Sequence, residues 1–521
     1  MNFETSADLA LIDGKIFTMN KALSCAEAVA VKGGQIVKVG STEEVSYLIG
    51  KGTEIVYLDG RTVLPGFIDT HIHVADFGRF LMWMDLAAGS ISQMQVLLGQ
   101  RLEKTQPNKW VVGRGWNENR FIEKRLPTRF DLDIISPNNP VIFYHQSGQI
   151  ALVNSKALEL AGVTKQTESP IGGVIDRNEE TGEPTGILRD CATDLVWKLV
   201  PEPSMEELVE AAALACEKIL QAGVTSIHWL AESAMDVHIL KKLLEAGKMP
   251  LRVYMVVPLS LLGDSGLLDG IGEGAAKIGG VEVYADGYLA SRTAALSKPY
   301  LGDAQNSGKL MCIQKDLNNS ARNIVNKGFQ LVLHAMGDKA VDAALNAIED
   351  TEDKGRHRID SAAVLNEALI QRIKKKKVVV SVQPLVAVSE FSVYDAVEHL
   401  GEERARWLYP LKTLFAEGVC VCGGSDCPME PLSPLLGMQS AVTRRFYPEE
   451  QVTVDEALQM YTAKAAYASC EEKLKGTIEE GKLADFTVLA QDPHEVPVSK
   501  IQDIAVEMTI VGGKVGYLRS G

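Results

Sequence analysis

Apolar and polar positions along this chain change rhythm twice. Near the N-terminus, short apolar runs are cut by turn signals. Ala7-Asp8-Leu9-Ala10-Leu11-Ile12 is followed by Asp13-Gly14, a strong hairpin signal, and Ala28-Val29-Ala30-Val31 by Lys32-Gly33-Gly34, after which Gln35-Ile36-Val37-Lys38-Val39 resumes. This pattern predicts a small antiparallel sheet. The C-terminal stretch repeats it, with strand-like runs at 484–489 and 504–511 and a Gly512-Gly513 turn. Chain termini often lie close together, so 1–62 and 472–521 are expected to build one composite β domain.

Between them, in 63–471, unbroken apolar runs alternate with helical stretches. The runs at 63–68, 223–227, 251–257, 330–333, 378–382 and 419–422 are strand-like, while 205–222 and 339–349 read as helices. Strands buried on both faces read as continuous apolar runs, and β/α alternation requires a parallel sheet, open or closed into a barrel. The span of about 75–201 breaks the alternation with Gly113-Arg114-Gly115-Trp116, Ser136-Pro137-Asn138-Asn139-Pro140 and the polar run from Asn178 to Pro184. It is predicted as a large insertion after the first strand of the β/α domain.

Composition narrows the function more than the fold. The 521 residues are 46% hydrophobic and 23% charged, an ordinary globular mixture. A net charge of −15 disfavours nucleic acid and anionic membrane as partners, because both repel an acidic surface. The eight cysteines form no CxxC pair, and Cys420 with Cys422 is not a usual zinc spacing, so they read as reduced thiols. Met1-Asn2-Phe3-Glu4-Thr5 lacks the features of a signal peptide, and no apolar stretch reaches the ~18–20 residues of a membrane span. The expectation is a cytoplasmic protein acting on a small molecule. A homo-oligomer is compatible with the sequence but not specified by it.

The sharpest chemical feature is Gly66-Phe67-Ile68-Asp69-Thr70-His71-Ile72-His73. It closes an apolar run, so His71 and His73 sit at a strand end, and residues i and i+2 of a strand point the same way. The two imidazoles would converge on one metal, although chance alone gives about 0.16 such pairs in a chain with this many histidines. Other strand ends offer partners: His334 after Gln330-Leu331-Val332-Leu333, and Asp426 after Gly423-Gly424-Ser425. Glu282 lies inside a strand-like run, where an unpaired acid is costly and a metal would pair it. Taken singly, each has an ordinary structural reading. Together they suit a divalent metal, Zn²⁺ first, with an open position for water, and Asp426 could move the water proton to a leaving nitrogen. His145, His228, Arg114, Trp116 and Arg292 are candidate pocket-lining residues, with His228 a reserve ligand.

At these residues the chain resembles the amidohydrolase superfamily, and within it amidohydrolase family 3, the branch of the N-substituted formamide deformylases. The first-strand motif, Tyr284-Ala285-Asp286-Gly287 with Ser291-Arg292-Thr293-Ala294, the run from His334 to Asp338, Gly424-Ser425-Asp426-Cys427-Pro428 and Lys475-Gly476-Thr477-Ile478 all carry the likeness. The resemblance implies a (β/α)8 TIM barrel with a β-sandwich built from both termini, and hydrolysis of a non-peptide C–N bond: amide, N-formyl or cyclic amide. By carry-over, His71 and His73 are the first-strand ligands, His334 the fifth-strand histidine and Asp426 the eighth-strand aspartate. Three departures stand out. Arg358-Ile359-Asp360-Ser361 matches a stretch in which the family carries a sixth-strand histidine, so Ser361 lacks that imidazole. Glu282 stands where the branch often has a strand-four lysine, and Gln149 where it commonly has histidine. The expectation is one firm metal and a doubtful second site. A hydrolytic deaminase of a heterocycle, or a relative that has lost catalysis and binds a small molecule, are the alternatives.

Overall fold

The computed structural model describes residues 6–20, 22, 24–268, 271, 274–351 and 355–520. Met1 to Thr5, read above for a signal peptide, lie outside the described residues. The chain divides into two compact units, one of Met1–Phe77 with Ala212–Gly521 and one of Gly78–Ala211.

The larger unit is built on eight parallel strands hydrogen-bonded in sequence order: β1 (Phe67–Ile72), β2 (Val224–Leu230), β3 (Arg252–Pro258), β4 (Ala276–Tyr284), β5 (Gln330–Ala335), β6 (Arg358–Ser361), β7 (Val379–Val382) and β8 (Cys420–Gly423). Apart from the exposed Tyr284, the half-buried Pro258 and a few half-buried residues towards strand starts, these strands are buried, which explains their unbroken apolar runs. The ring closes between β8 and β1. Asp426 N–H donates to His71 O at 2.8 Å, His73 N–H to Cys427 O at 3.0 Å, and Ile72 pairs with Cys427 in a parallel bridge. A Cβ on Gly424 would lie 2.5 Å from the His71 Cβ, so glycine is what lets the end of β8 come this close. The result is a (β/α)8 barrel, with helices such as α1 (Met205–Gln221) and α2 (Asp338–Asp350) between strands.

Two further sheets of this unit form the β-sandwich. One holds Gln35–Gly40, Ala28–Lys32, Leu9–Ile12 and Glu54–Tyr57; the other joins Lys514–Leu518, Val506–Val511 and Phe486–Leu489 to Thr62–Pro65, Lys15–Phe17 and Cys25–Ala26. Leu9, Leu11, Val29 and Val31 of the first pack with Ile16, Val63, Phe486 and Ile510 of the second in one apolar core.

Two local expectations need correction. Asp13-Gly14 does not close a hairpin: Leu9–Ile12 pairs with Ala28–Lys32 and Glu54–Tyr57, whereas Lys15–Phe17 pairs with Cys25–Ala26 and Thr62–Pro65. The turn carries the chain from one sheet to the other, because each strand pairs where its apolar face finds a core rather than with its neighbour in sequence. The run at 63–68 is likewise two strands. It breaks at Gly66, where any Cβ would collide with the Thr225 side chain, so Thr62–Pro65 belongs to the sandwich and β1 to the barrel.

The unit Gly78–Ala211 carries its own six-stranded mixed sheet, in the order Gly173–Arg177, Pro184–Asp190, Ile150–Val153, Val141–His145, Val111–Trp116 and Met84–Asp85. It follows directly on the first barrel strand, as an insertion. Among the described residues no helix is long and apolar enough to cross a membrane, and all eight cysteines are free.

Candidate metal centre

The ring closure between β1 and β8 assembles the site. His71 lies on β1, His73 just beyond it and Asp426 just beyond β8, at the mouth where a barrel places its reacting groups. Asp426 Oδ1 is 3.5 Å from His71 Nε2 and 3.5 Å from His73 Nε2, and one ligand atom from each of the three residues lies within 4.8 Å of the others. Asp426 is held there with φ of +61°, a conformation that aspartate tolerates better than most residues.

Each imidazole is backed by a carboxylate on its other face. His71 Nδ1–H donates to Asp360 Oδ2 at 2.9 Å, which leaves the Nε2 lone pair facing Asp426. Asp360 is itself fixed by Arg358, whose guanidinium grips both its oxygens, donates to Thr70 O at 2.6 Å and donates to His228 Nδ1 at 2.9 Å. Both residues are fully buried. Burial alone would raise the Asp360 pKa, but Arg358 and then the His71 hydrogen bond outweigh it and hold the carboxyl below its ordinary range. Strand β6 is hydrogen-bonded to neither β1 nor β2, so side-chain contacts joining it to both run through the barrel interior. A carboxylate that takes the Nδ1 proton fixes the tautomer and orientation of a metal-binding histidine.

His73 turns Nδ1 towards Glu232 Oε1 at 3.5 Å, and Asp76 completes a second close triad with these two. Burial would depress the His73 pKa, but Asp426, then Glu232 and Glu282, overcome it and raise the imidazole to about 9.

Glu282, on β4, is buried, and its Oε1 has no hydrogen-bond partner. Burial pushes its carboxyl up to about 7, with Asp360 adding to the rise and His71 and His73 opposing it. A buried carboxylate oxygen without a partner, in electrostatic reach of two histidines, is what a cation would satisfy, so the donor set fits a divalent metal. His334, next to the last residue of β5, is enclosed between Tyr284 and Tyr288, with ring centroids 4.6 and 5.1 Å away, and its Nε2 lies 3.4 Å from Gly287 O. Burial drives this imidazole down to about 4, so it is neutral at ordinary pH. Ser361 ends β6 with φ of +72° and contributes no imidazole.

The remaining expected residues have partners of their own. Trp116 was expected to line a pocket. It is instead fully enclosed in the core of the inserted unit, its indole N–H donating to Phe143 O at 2.8 Å. His145 packs edge-on against Trp116 at 4.8 Å, with Nε2 3.2 Å from Glu118 Oε2, and Arg114 lies over the Phe80 ring. His228 is no reserve ligand. Its Nδ1 accepts from the Arg358 cation, which places its proton on Nε2 and leaves no lone pair there for a metal. Burial, reinforced by Arg358, keeps it neutral, with its pKa well below the usual value. Arg292, at φ +53°, points its guanidinium at His399 Nε2, 3.2 Å away.

Two carboxylates escaped the sequence reading. Asp69 is fully buried and accepts the backbone N–H groups of His71 at 3.1 Å and Ser425 at 2.9 Å, tying β1 to the end of β8. Asp286 accepts N–H groups from Ala295, Met336 and Gly337, all at 2.8–2.9 Å, and so pins the loop after β4 to the end of β5. The period of two that linked His71 to His73 also links Asp69 to His71, so a signal for Asp69 was present.

The sequence profile of the amidohydrolase family matches residues 54–517. The chain belongs to this family. The Bacillus subtilis (strain 168) protein YtcJ, named for an amidohydrolase, is 34% identical over an alignment covering 97% of this chain and 99% of that one. The N-substituted formamide deformylase of Arthrobacter pascens is 28% identical over 99% of each chain. Among solved structures, an uncharacterized metal-dependent hydrolase from Pyrococcus furiosus superposes with a TM-score of 0.76 at 30% identity, covering 93% of this amidohydrolase and 99% of the other chain.

These shifts set a pH dependence for metal binding. A metal must displace the His73 proton below about pH 9, and a ligating Glu282 must lose its own below about pH 7. Affinity for Zn²⁺ is therefore expected to rise by about tenfold per pH unit between pH 7 and 9, and more steeply below pH 7. Zinc-buffer titrations from pH 6 to 9 measure this, and a flat profile would contradict the assignment of His73.

Proposed function

We propose that this amidohydrolase cleaves a non-peptide C–N bond, an amide, N-formyl or cyclic amide, with Zn²⁺ held by His71, His73 and Asp426 and with Glu282 completing the set. The observation that carries this reading is the convergence of two imidazole nitrogens on one Asp426 oxygen, each at 3.5 Å, with His71 locked into the ligating tautomer by Asp360. Two nitrogens with carboxylate oxygens suit Zn²⁺. When bound, the metal supplies Lewis acidity that makes water acidic near neutral pH and polarises a carbonyl.

The chain's own residues do the rest. Asp426, with its carboxylate at the mouth, takes the proton from the attacking water and delivers it to the departing nitrogen. Asp360 keeps a negative charge behind His71 throughout, because Arg358 is always beside it. Tyr284 and Tyr288 close over His334 and restrict the approach from the β4–β5 side. With Ser361 at the end of β6, a second metal would have only His334 and a share of Glu282 as a bridge, too few for tight binding, so one metal is proposed. A cytoplasmic setting belongs to the same proposal, supported by eight unpaired cysteines.

Chelator-stripped protein, reloaded with Zn²⁺, Mn²⁺, Co²⁺ or Fe²⁺, is the material for the test, on a panel of N-formyl amines, N-acyl amines and cyclic amides. Stoichiometric release of amine and acid, lost on stripping and regained on reloading, is expected. Release of ammonia from heterocycles instead would replace the reading with a deaminase. No turnover by any metal form would end it.

A further inference from the structure

Carboxylates crowd the mouth of the barrel beyond those the metal uses. Helix α3 (Pro384–Ser392) follows β7 and carries Ser389 and Glu390. Glu390 is 4% exposed, and among the described residues its one hydrogen-bond partner is the backbone N–H of Ala290, in the loop after β4. Glu430 follows Asp426 on the β8 loop and accepts from Ser389 Oγ at 2.5 Å, which ties that loop to α3. Among the described residues no lysine or arginine pairs with either carboxyl. The nearby arginines are otherwise engaged: Arg444 donates to the carbonyls of Leu408, Tyr409 and Phe446, Arg292 faces His399, and Arg358 lies under the floor with Asp360.

Tyr409 is the second observation. It is 1% exposed, yet its hydroxyl has no hydrogen-bond partner, and the charges it feels are those of Glu390, Asp426 and Glu430. Its backbone sits at φ +49°, held by its N–H to Ala363 O at 2.8 Å and by Arg444 on its carbonyl. A bulky residue kept in that conformation is costly, and such strain collects where a side chain is aimed for function. A buried hydroxyl without a partner carries its own penalty, and so does a buried carboxyl without a cation. Two such penalties in one place, at the Tyr409 hydroxyl and the Glu390 carboxyl, are removed together by a ligand that donates hydrogen bonds and carries positive charge. Burial raises Glu390 to about 7, the response of a carboxyl that lacks that partner.

We propose that the substrate carries a cationic nitrogen, as an ammonium, amidinium or guanidinium, remote from the scissile bond, and that Glu390 and Glu430 bind it with the Tyr409 hydroxyl accepting one of its N–H groups. The proposal rests on the hydrolase reading for the scissile bond, but the pocket itself does not. It excludes substrates with a carboxylate or phosphate at that end, which would face Glu390 and Glu430 with no lysine or arginine paired to either among the described residues. Charge-assisted hydrogen bonds supply both the affinity and the discrimination.

The probes are n-butylguanidinium and its neutral isostere n-butylurea, neither of which offers the metal an amine lone pair. Calorimetric binding to the Zn²⁺-loaded protein is expected to favour the guanidinium by about tenfold or more. Glu390→Gln and Glu430→Gln should each remove most of that preference while zinc content stays as in the parent, and Tyr409→Phe should weaken it less. Should Glu390→Gln fail to fold, Glu430→Gln, on the loop, carries the test. Equal binding of the two probes, or a preference that survives Glu430→Gln, overturns the proposal. The two readings fail separately: guanidinium binding without turnover on the amide panel removes the hydrolase and keeps the pocket, whereas turnover with indifference to charge removes the pocket alone.

Discussion

Asp426→Asn is expected to lower kcat by about 10²–10⁴-fold, the range for loss of a positioned acid–base group. The substitution keeps the size of the side chain and its backbone bonds, the N–H to His71 O and the turn to Met429 and Glu430. What it removes is a carboxylate able to accept the water proton. Asparagine also donates where aspartate accepts, and it would turn an N–H or a weaker oxygen towards two imidazole nitrogens that now face an anionic oxygen at 3.5 Å. Zinc content separates the two roles. Metal retained with turnover lost identifies proton transfer, while metal lost as well adds a ligand role. Turnover within threefold of the parent would remove Asp426 from the chemistry.

Asp426 and the histidine pair were legible in the sequence because their signal is local. An i, i+2 pair at the end of an apolar run states its direction, and an aspartate after Gly423-Gly424 states a strand end. The barrel itself was legible for the same reason, through runs buried on both faces. What resisted reading depends on distant partners. Arg358-Ile359-Asp360-Ser361 drew notice only for its missing imidazole, yet its first and third residues form the buried support of His71. Strand periodicity says that Arg358 and Asp360 share a face. It does not say that this face looks into the barrel at residues 288 and 289 positions away in sequence. His228 failed by the same route: its strand runs on to Leu230, and the cation opposite Nδ1, which decides its tautomer, comes from β6. Trp116 was misplaced because an aromatic beside Gly115 reads equally as pocket wall or core, and the core of Leu86, Phe121 and Phe143 that encloses it is assembled by tertiary packing.

Arg358→Met is expected to destabilise the fold by about 3–5 kcal/mol, because it strands the Asp360 charge in the barrel interior. Both side chains are fully buried, and the guanidinium also satisfies Thr70 O and His228 Nδ1, so one substitution unmakes three attachments. The Asp360 carboxyl is held below its ordinary pKa, so its contribution is complete at neutral pH and is lost only as pH falls through the acid range. Urea unfolding at pH 7 therefore sees the full effect. The double variant Arg358→Met/Asp360→Leu is expected to recover much of that stability, since a buried ion pair exchanged for apolar side chains of similar volume is often neutral or better. It should not recover the metal. His71 would then lack the acceptor that keeps its proton on Nδ1, and zinc affinity is expected to stay about 10–100-fold below the parent. A stable double variant that binds zinc poorly would show that the pair at β6 is retained for His71 and not for the barrel. If the double variant instead binds zinc as the parent does, Asp360 has no part in the metal centre, and the sixth strand contributes packing alone.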